Sequence, residues 1–317
     1  MEEQRMKKLL FVYNPNAGKG LLKSKVSDVV DTFVKAGYEV TIYPTQKSHD
    51  AYEKVKEMKR KYDLVVCSGG DGTLDEVVTA MMEREDRVTI GYIPTGTTND
   101  FASSLKIPKN ILKAADVAVN GENFPCDVGR FNDDSFIYIA AFGLFTDVSY
   151  QTDQNVKNVL GHLAYILEGV KRLRDVPSYK MKVTHDGEVL EDEFIYGMVT
   201  NSKSVGGFRS IVGNNVVFDD GEFEVTLIKR PKTLIALQEI IGALLVEQMN
   251  TKHMYSFKAR EIHFEPTEDI DWTLDGEFGG NHREVHIKNE QQSLHIMVPK
   301  EQIKFLTKEP ETAQEGE

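Results

Sequence analysis

Residues 63–76 read DLVVCSGGDGTLDE, and this stretch decides the fold of the chain. Its first five residues form a short, largely apolar run typical of a buried strand in a parallel sheet. Three glycines follow, and they let the backbone turn and approach a ligand closely. An apolar stripe at helical spacing then runs from Leu74 to Met82. Strand, turn and helix together predict a phosphate-binding turn, because free N–H groups and the positive end of the helix dipole meet there.

Asp71 stands among these glycines. A carboxylate repels a bare phosphate, so its presence predicts a cation, most simply Mg²⁺ carried by a nucleotide. A generic glycine turn can also be plain architecture, without a ligand. The complete run SGGDGT, which begins at Ser68, favours the binding interpretation.

Two further polar turns with glycines follow predicted strands. The run NPNAGKG at residues 14–20 comes after a strand at 7–13, and PTGTTND at residues 94–100 comes after a strand at 88–93. The first turn is not a Walker A motif, because Gly20 stands where serine or threonine belongs, so it is either a simple turn or a source of backbone donors. Strands and helices alternate through this half, which predicts a parallel sheet with helices on both faces. Ligands bind beyond the carboxyl ends of such strands, so we expect the three turns to share one crevice.

Strands dominate after residue 124, and their pattern predicts an antiparallel, sandwich-like second half. Two predicted helices, at 156–173 and 233–249, each have enough apolar positions to cover one face of a sheet. The predicted strands occupy residues 124–131, 135–142, 179–184, 191–200, 216–218, 222–229, 254–264, 285–288 and 293–298.

Two acidic turns in the second half are candidates for chemistry. They read FDDGE at residues 218–222 and WTLDGE at residues 272–277. Asp-Gly is also a common hairpin turn, so a structural role explains either turn taken alone. The first turn has carboxylates and free carbonyls that suit a hard cation. The second carries Glu277, which suits a general base for a hydroxyl if it faces the phosphate crevice.

Composition narrows the class of protein. The chain has 317 residues and a formal net charge of −12, which argues against a nucleic-acid partner. Its two cysteines imply no disulfide framework and favour the reducing cytoplasm. The histidines form no zinc-binding pattern, and no apolar segment reaches the length of a transmembrane helix.

Taken together, these motifs resemble one family, the bacterial soluble diacylglycerol kinases and the related YegS-type lipid kinases. The resemblance extends from residue 7 to about residue 304. GGDGT alone is shared with NAD kinases, but the whole ordered set is specific to the lipid kinases. The motifs are Asn14-Pro15-x-x-Gly18, GGDGTL at 69–74, PTGTTNDF at 94–101, GGF at 206–208 and Asp275-Gly276-Glu277.

The resemblance implies an α/β plus β fold with ATP in the cleft between two domains. Residues 1–123, completed by 299–307, form the doubly wound, mostly parallel nucleotide-binding domain. Residues 124–298 form the β-sandwich domain, and residues 308–317 form a disordered tail. The final strand is expected to return to the first domain.

The resemblance also implies roles for individual residues. Asp71 anchors a catalytic Mg²⁺, partly through water, with Asp100 in the same network, and Glu277 deprotonates the lipid hydroxyl. A second, structural Mg²⁺ binds at Val217, Asp220 and Glu222, partly through backbone carbonyls. The nucleotide contacts are expected at Asn14, Pro15, Asn16, Ala17, Gly18, Thr45, Gly70, Asp71, Gly72, Thr73, Leu74, Asp75, Glu76 and Thr97.

One position departs from the family pattern. Asp75 stands where asparagine is usual, and the extra carboxylate should weaken nucleotide binding unless Mg²⁺ or a lysine offsets it.

The expected activity is transfer of the γ-phosphoryl of ATP to diacylglycerol, giving phosphatidic acid. The enzyme would visit the inner face of the membrane transiently, and a homodimer is expected only by analogy with the family. Three alternatives stay open: another lipid acceptor such as a sphingoid base or phosphatidylglycerol, NAD as the acceptor, and a non-catalytic nucleotide-sensing module.

Overall fold

The structure is a computed structural model that describes residues 5–59, 61–144, 176–202, 216–245 and 251–307. The predicted helix at 156–173, the GGF motif at 206–208 and the tail at 308–317 lie outside these residues.

The first half is a parallel sheet flanked by helices, as the alternating pattern predicts. Its four strands lie in the order β4-β3-β1-β2, and all their pairings are parallel. Every residue of the central strand β3 is buried, which explains its continuous apolar character. The strands are β1 (Lys7–Tyr13), β2 (Tyr38–Pro44), β3 (Leu64–Gly69) and β4 (Thr89–Pro94). The helices are α1 (Val26–Lys35), α2 (Asp50–Lys56), α3 (Asp71–Met82), α4 (Asp100–Ser104) and α5 (Ile111–Asn120).

A glycine in β4 lets helix α5 lie close to the sheet. A Cβ added at Gly91 would stand only 2.7 Å from the Cβ of Ala118 and 3.0 Å from Val66. A larger residue would therefore push the helix away from the strands whose ends form the predicted crevice.

The second half is an antiparallel sandwich. Its strands are β5 (Glu122–Phe131), β6 (Asp134–Phe136), β7 (Ile139–Gly143), β8 (Tyr179–His185), β9 (Glu188–Thr200), β10 (Phe223–Lys229), β11 (Met254–Ala259), β12 (Glu261–Pro266), β13 (Ile270–Leu274), β14 (Glu277–His282) and β15 (Val285–Val298). Helix α6 (Leu234–Leu245) lies within the predicted 233–249 span, and a short helix α7 (Ile303–Leu306) follows β15. Between the layers, the ring of Trp272 packs against those of Phe131, Phe142 and Phe264.

Strand β15 joins the two halves. It pairs antiparallel with β12 and β5 and reaches β4, where Ile296 pairs in parallel with Ile90. Thus the last strand returns to the first sheet, as the resemblance implies. The chain crosses between the halves within β5, so the predicted boundary after residue 123 falls inside a strand and there is no linker.

Several predicted strand limits differ from the structure. Residues 216–218 are not a strand, and 285–288 and 293–298 belong to one strand with an irregularity between them. The predicted strand at 254–264 breaks at Arg260, whose N–H donates to the Asp186 carboxylate instead of a strand carbonyl.

The strand predicted at 135–142 also breaks in two. The N–H groups of residues 137–139 donate to the Asp275 carboxylate, and residues 137 and 138 lie outside both strands, between the end of β6 and the start of β7. The β13–β14 hairpin, which holds Asp275 in its turn, was not among the predicted strands.

Candidate active site

The carboxyl ends of the parallel strands are tied to one another by backbone hydrogen bonds. The Asn14 N–H donates to the Ser68 carbonyl at 2.8 Å, and the Thr45 N–H donates to the Tyr13 carbonyl at 2.9 Å. The N–H groups of Thr95 and Gly96 both donate to the Gly69 carbonyl, at 2.8 and 3.1 Å. The loops that follow β1, β2, β3 and β4 therefore meet at one edge of the sheet.

The three glycine turns also touch one another directly. Gly18 has a φ of +54°, and a Cβ there would overlap the carbonyl of Thr95. A Cβ on Gly96 would overlap the Cα of Gly70. The structure thus brings together the turns at 14–20, 69–72 and 94–100, and glycine is needed because backbone lies against backbone.

Asn99 and Tyr92 hold the third turn in place. The Asn99 side chain accepts from the Gly96 N–H at 2.9 Å and donates to the Gly96 carbonyl at 2.8 Å. The buried Tyr92 hydroxyl donates to the Gly69 carbonyl at 3.2 Å. Sequence reasoning missed both roles. Asn99 has a φ of 54°, a conformation that asparagine tolerates better than most residues, so the asparagine in this turn was the signal that the sequence offered.

Asp71 is the first residue of α3 and lies inside the crevice. Its Oδ2 accepts from the N–H of Asp100 at 3.3 Å, which brings these two predicted residues together. Its Oδ1 is buried and has no hydrogen-bond partner. Burial, and then the nearby charge of Asp100, raises the pKa of Asp71 to about 6. A buried acceptor without a partner, next to a second carboxylate, is suited to a cation.

Glu277 reaches the same place from the second half. Asp275 and Gly276 form a two-residue hairpin turn with φ values of 50° and 89°, the geometry that favours Asp-Gly. Glu277 is the first residue of β14, and a Cβ added at Gly72 would lie 3.7 Å from its Oε1. The glutamate therefore stands beside the first turn of α3, one residue from Asp71.

Asp275 fixes this hairpin to the body of the sandwich. Its carboxylate accepts three backbone hydrogen bonds, from Ile137 at 2.6 Å and from Tyr138 and Ile139 at 2.9 Å each. Burial raises the pKa of Asp275 to about 7, although the three N–H groups oppose the shift. Sequence reasoning included this residue in a motif but assigned it no role.

Asp75 lies one helical turn after Asp71. Burial raises the pKa of its carboxyl group well above the usual range, and the charges of Asp275, Asp134 and Glu76 add to the shift. The unusual aspartate is thus part of a carboxylate cluster, where a further negative charge is unfavourable.

Glu76 contacts protein backbone. Its two carboxylate oxygens accept from the N–H groups of His49, at 2.9 Å, and Ala51, at 3.1 Å. Both oxygens are therefore engaged at the start of α2, which supports a role different from the predicted nucleotide contact.

The other predicted nucleotide contacts surround the crevice. Thr45 is buried, while Asn16 and Thr97 are exposed. The side chain of Leu74 is buried in the core, so only its backbone can face a ligand. The Asn14 side chain accepts from the Asn16 N–H at 2.9 Å and shapes the first turn, which also holds Pro15, Ala17 and Gly18. Gly70 precedes α3, and Gly72 and Thr73 lie in its first turn.

The second predicted metal turn already contains an ion pair. Asp220 Oδ2 lies 3.0 Å from the Lys258 ammonium, and Asp220 Oδ1 accepts from the Glu222 N–H. Lys258 also lies 3.2 Å from Glu224. Within the described parts of the chain, no three acidic, histidine or cysteine side chains are arranged to hold a metal.

The sequence matches two family descriptions in the order that this architecture requires. Residues 8–131 match the diacylglycerol kinase catalytic domain, and residues 140–298 match the YegS C-terminal NAD kinase beta sandwich-like domain. The diacylglycerol kinase of Bacillus subtilis (strain 168) is 35% identical over 303 residues, which cover 95% of this chain and 99% of that protein. The diacylglycerol kinase of Staphylococcus aureus (strain JH9) is 36% identical over 278 residues, 86% of this chain and 87% of that one.

Solved structures have the same architecture. One from Bacillus anthracis str. Sterne, described as a diacylglycerol kinase, superposes with a TM-score of 0.73 at 26% identity and covers 93% of this chain and 98% of its own. Another from the same organism has a TM-score of 0.80 at 28% identity, with the same coverage. The chain belongs to the diacylglycerol kinase family.

Proposed function

We propose that this protein transfers the γ-phosphoryl group of ATP to the free hydroxyl of diacylglycerol, giving phosphatidic acid. One observation carries the proposal: Glu277, from the second half, stands beside Gly72 in the phosphate turn of the first half. A carboxylate at that position can take a proton from an acceptor hydroxyl next to the phosphate being transferred.

The first half supplies the nucleotide site. Phosphoryl transfer depends mainly on in-line positioning and on stabilising negative charge spread over the phosphate oxygens. The start of α3 presents the positive end of its helix dipole to this crevice, and the turns at 14–18 and 94–97 lie against it, so these elements together surround the proposed phosphate site. We assign ATP contacts to these turns and to Thr45.

Asp71 and Asp100 fit the Mg²⁺ that kinases of this type use. The fit rests on the buried, unpartnered Oδ1 of Asp71 and on the second carboxylate beside it. Mg²⁺ commonly binds through one or two carboxylates together with substrate phosphates and water, so three protein ligands are not required. When bound, it would neutralise charge on the phosphates.

The acceptor hydroxyl reacts beside Glu277. Its proton passes to the Glu277 carboxylate while its oxygen forms a bond to the γ-phosphorus. The bond between that phosphorus and the bridging oxygen of ADP breaks, and ADP leaves with the electron pair. Asp275 keeps the hairpin still during this step, because three N–H groups hold its carboxylate.

The second half also offers a contact for lipid. Phe278 follows Glu277 on β14, which is an edge strand within the described part of the sheet. The Phe278 residue is 71% exposed to solvent. Phe278 is an exposed large apolar side chain directly adjacent to the proposed base, and we infer that it enters the lipid phase while Glu277 meets the hydroxyl. We propose that this membrane contact is peripheral. Among the described residues, no helix has the length and apolar character needed to cross a bilayer.

A pair of substitutions tests the lipid contact. Phe278→Ser should lower kcat/KM for long-chain diacylglycerol in vesicles by about tenfold or more, since burying a phenylalanine contributes roughly 1.5–3 kcal/mol. Its rate with a short-chain, dispersed diacylglycerol should be unchanged. Phe305→Ser is the matched control, because Phe305 is 65% exposed and lies on α7. Equal losses in both variants, or a loss that is the same for both substrates, would refute the assignment.

The turn at residues 217–222 fits a cation less well than the site at Asp71 and Asp100 does. Lys258 already supplies positive charge to Asp220 and Glu224, so the predicted Mg²⁺ at Val217, Asp220 and Glu222 would have to compete with this ion pair. The predicted cation stays a prediction, and we assign it no part in the reaction.

A panel of acceptors tests the activity. The purified protein is incubated with ATP and Mg²⁺ and, separately, diacylglycerol, a sphingoid base, phosphatidylglycerol or NAD. We expect phosphate transfer to diacylglycerol to be fastest. Faster transfer to another acceptor would replace the substrate assignment, and ATP binding without product from any acceptor would support a nucleotide-sensing module. Sedimentation of the same preparation would test the homodimer.

A further inference from the structure

The loop between β2 and α2 is held in place by two carboxylates. Glu76, on α3, accepts from the N–H groups of His49 and Ala51. Asp50, the first residue of α2, accepts from the Gln46 N–H at 2.6 Å and from the Tyr43 hydroxyl at 2.8 Å. His49 has a φ of +63°, an uncommon conformation that requires support from its surroundings.

These contacts link the phosphate turn to Thr45. Glu76 lies in the second turn of α3, whose first residues are Asp71 and Gly72. Through His49 and Ala51 it sets the start of α2, where Asp50 in turn holds the residue that follows Thr45. The backbone between residues 45 and 51 is therefore held in two ways. The Glu76 side chain fixes it to α3, and the Thr45 N–H, which donates to the Tyr13 carbonyl, fixes it to β1.

We propose that Glu76 is a positioning residue for nucleotide binding and that it acts by fixing Thr45 relative to the phosphate turn. This rests on the proposed function. It also replaces the direct nucleotide contact expected at Glu76, because both carboxylate oxygens are used by backbone amides. The consequence is specific: loss of Glu76 releases the loop at 45–51 while the fold and the base stay in place.

A second glutamate provides the matched control. Glu83, directly after α3, also bridges to α2: it accepts from the Tyr52 hydroxyl at 2.8 Å and pairs with Lys56 at 2.6 Å. It joins the same two helices, but its hydrogen bond and ion pair are with the side chains of Tyr52 and Lys56 and not with the backbone of residues 45–51. If Glu76 only docked α2 onto α3, Glu76→Ala and Glu83→Ala would behave alike.

Steady-state kinetics separate the two roles. Glu76→Ala should raise KM for ATP by about tenfold or more, because two charge-assisted hydrogen bonds are lost. Its kcat with diacylglycerol should stay within about threefold of the wild type, since the base and acceptor are untouched. Glu83→Ala should leave KM for ATP unchanged. Glu76→Gln retains one acceptor oxygen, so its KM should lie between those of wild type and Glu76→Ala.

A double-mutant cycle tests whether the effect passes through Thr45. Thr45→Ala alone should weaken ATP binding, and adding Glu76→Ala should weaken it by much less than the product of the two single effects. Independent, multiplicative effects would overturn the proposal.

Hydrogen exchange gives a readout that does not depend on catalysis. The amides of His49 and Ala51 should exchange at least about tenfold faster in Glu76→Ala than in wild type, and at the wild-type rate in Glu83→Ala. Unchanged exchange together with unchanged KM would overturn the proposal. If the wild type fails to bind ATP at all, the proposed function fails, while the exchange result still reports whether Glu76 holds the backbone at His49 and Ala51.

Discussion

Replacing Asp275 by alanine should destabilise the protein and displace its proposed base. The substitution leaves three N–H groups, of Ile137, Tyr138 and Ile139, without their acceptor in a buried site. Each unsatisfied buried donor costs roughly 1–3 kcal/mol. The free energy of unfolding should therefore fall by about 6 kcal/mol at a pH where the Asp275 carboxyl group is neutral in both the folded and the unfolded protein.

The cost depends on pH in a defined direction. Burial raises the pKa of Asp275 from an ordinary 3.8 to about 7. A carboxyl group with a raised pKa in the folded state stabilises the fold at low pH, and this contribution is lost as pH rises through the folded value. Three pKa units correspond to about 4 kcal/mol, so the penalty of Asp275→Ala should fall to about 2 kcal/mol above pH 7.

Asp186→Ala is the control for this measurement. Asp186 occupies the same position in the Asp-Gly turn between β8 and β9, with a φ of 43° against 50° for Asp275. Alanine at a positive φ is strained in both turns, so the comparison removes that contribution. Asp186 is exposed, and its carboxylate accepts from the Arg260 N–H at 3.3 Å.

Urea unfolding at pH 5 and pH 8, with a kinase assay at each pH, makes the test. We expect Asp275→Ala to have a lower free energy of unfolding than Asp186→Ala at both pH values. The difference between the two variants should be larger at pH 5 than at pH 8. We also expect kcat to fall by about 100-fold, because a shift of Glu277 by about 1 Å disrupts the reacting geometry. Equal stability of the two variants, or a gap that widens at pH 8, would refute the reasoning.

Three further predictions concern the crevice and the second turn. Gly96→Ala should raise KM for ATP severalfold, since its Cβ would overlap the Cα of Gly70; ATP titration measures this, and unchanged binding contradicts it. Asp75→Asn should raise the thermal midpoint and ATP affinity at pH 8, because burial raises the pKa of Asp75; the gain should disappear in acid, where the wild-type carboxyl is neutral. Mg²⁺ without nucleotide should raise the midpoint more in Lys258→Met than in wild type, and the reverse order would show that the predicted cation binds despite Lys258.

Local sequence signals predicted the first half well. The apolar run at β3, the glycines after it and the stripe from Leu74 to Met82 specify strand, turn and helix without help from distant residues. The meeting of the three turns also followed, because carboxyl ends of parallel strands share one edge of a sheet.

Contacts between distant residues were harder to predict. The strand at 135–142 breaks because a carboxylate 136 or more residues away takes its N–H groups. The carboxylate of Glu76 is engaged by amides 25 and 27 residues earlier in the chain. Neither partner is marked by local propensity or periodicity, so a pattern search could only name Asp275 and Glu76 as parts of motifs.

The central claim is that a glutamate from the sandwich half acts on a phosphate held by the α/β half. Single-turnover phosphorylation of diacylglycerol by Glu277→Gln, measured together with its ATP affinity, tests this most directly. We predict a rate at least about 100-fold below wild type, with ATP binding unchanged, as expected for loss of a general base. Phosphate transfer at the wild-type rate by Glu277→Gln would contradict the account.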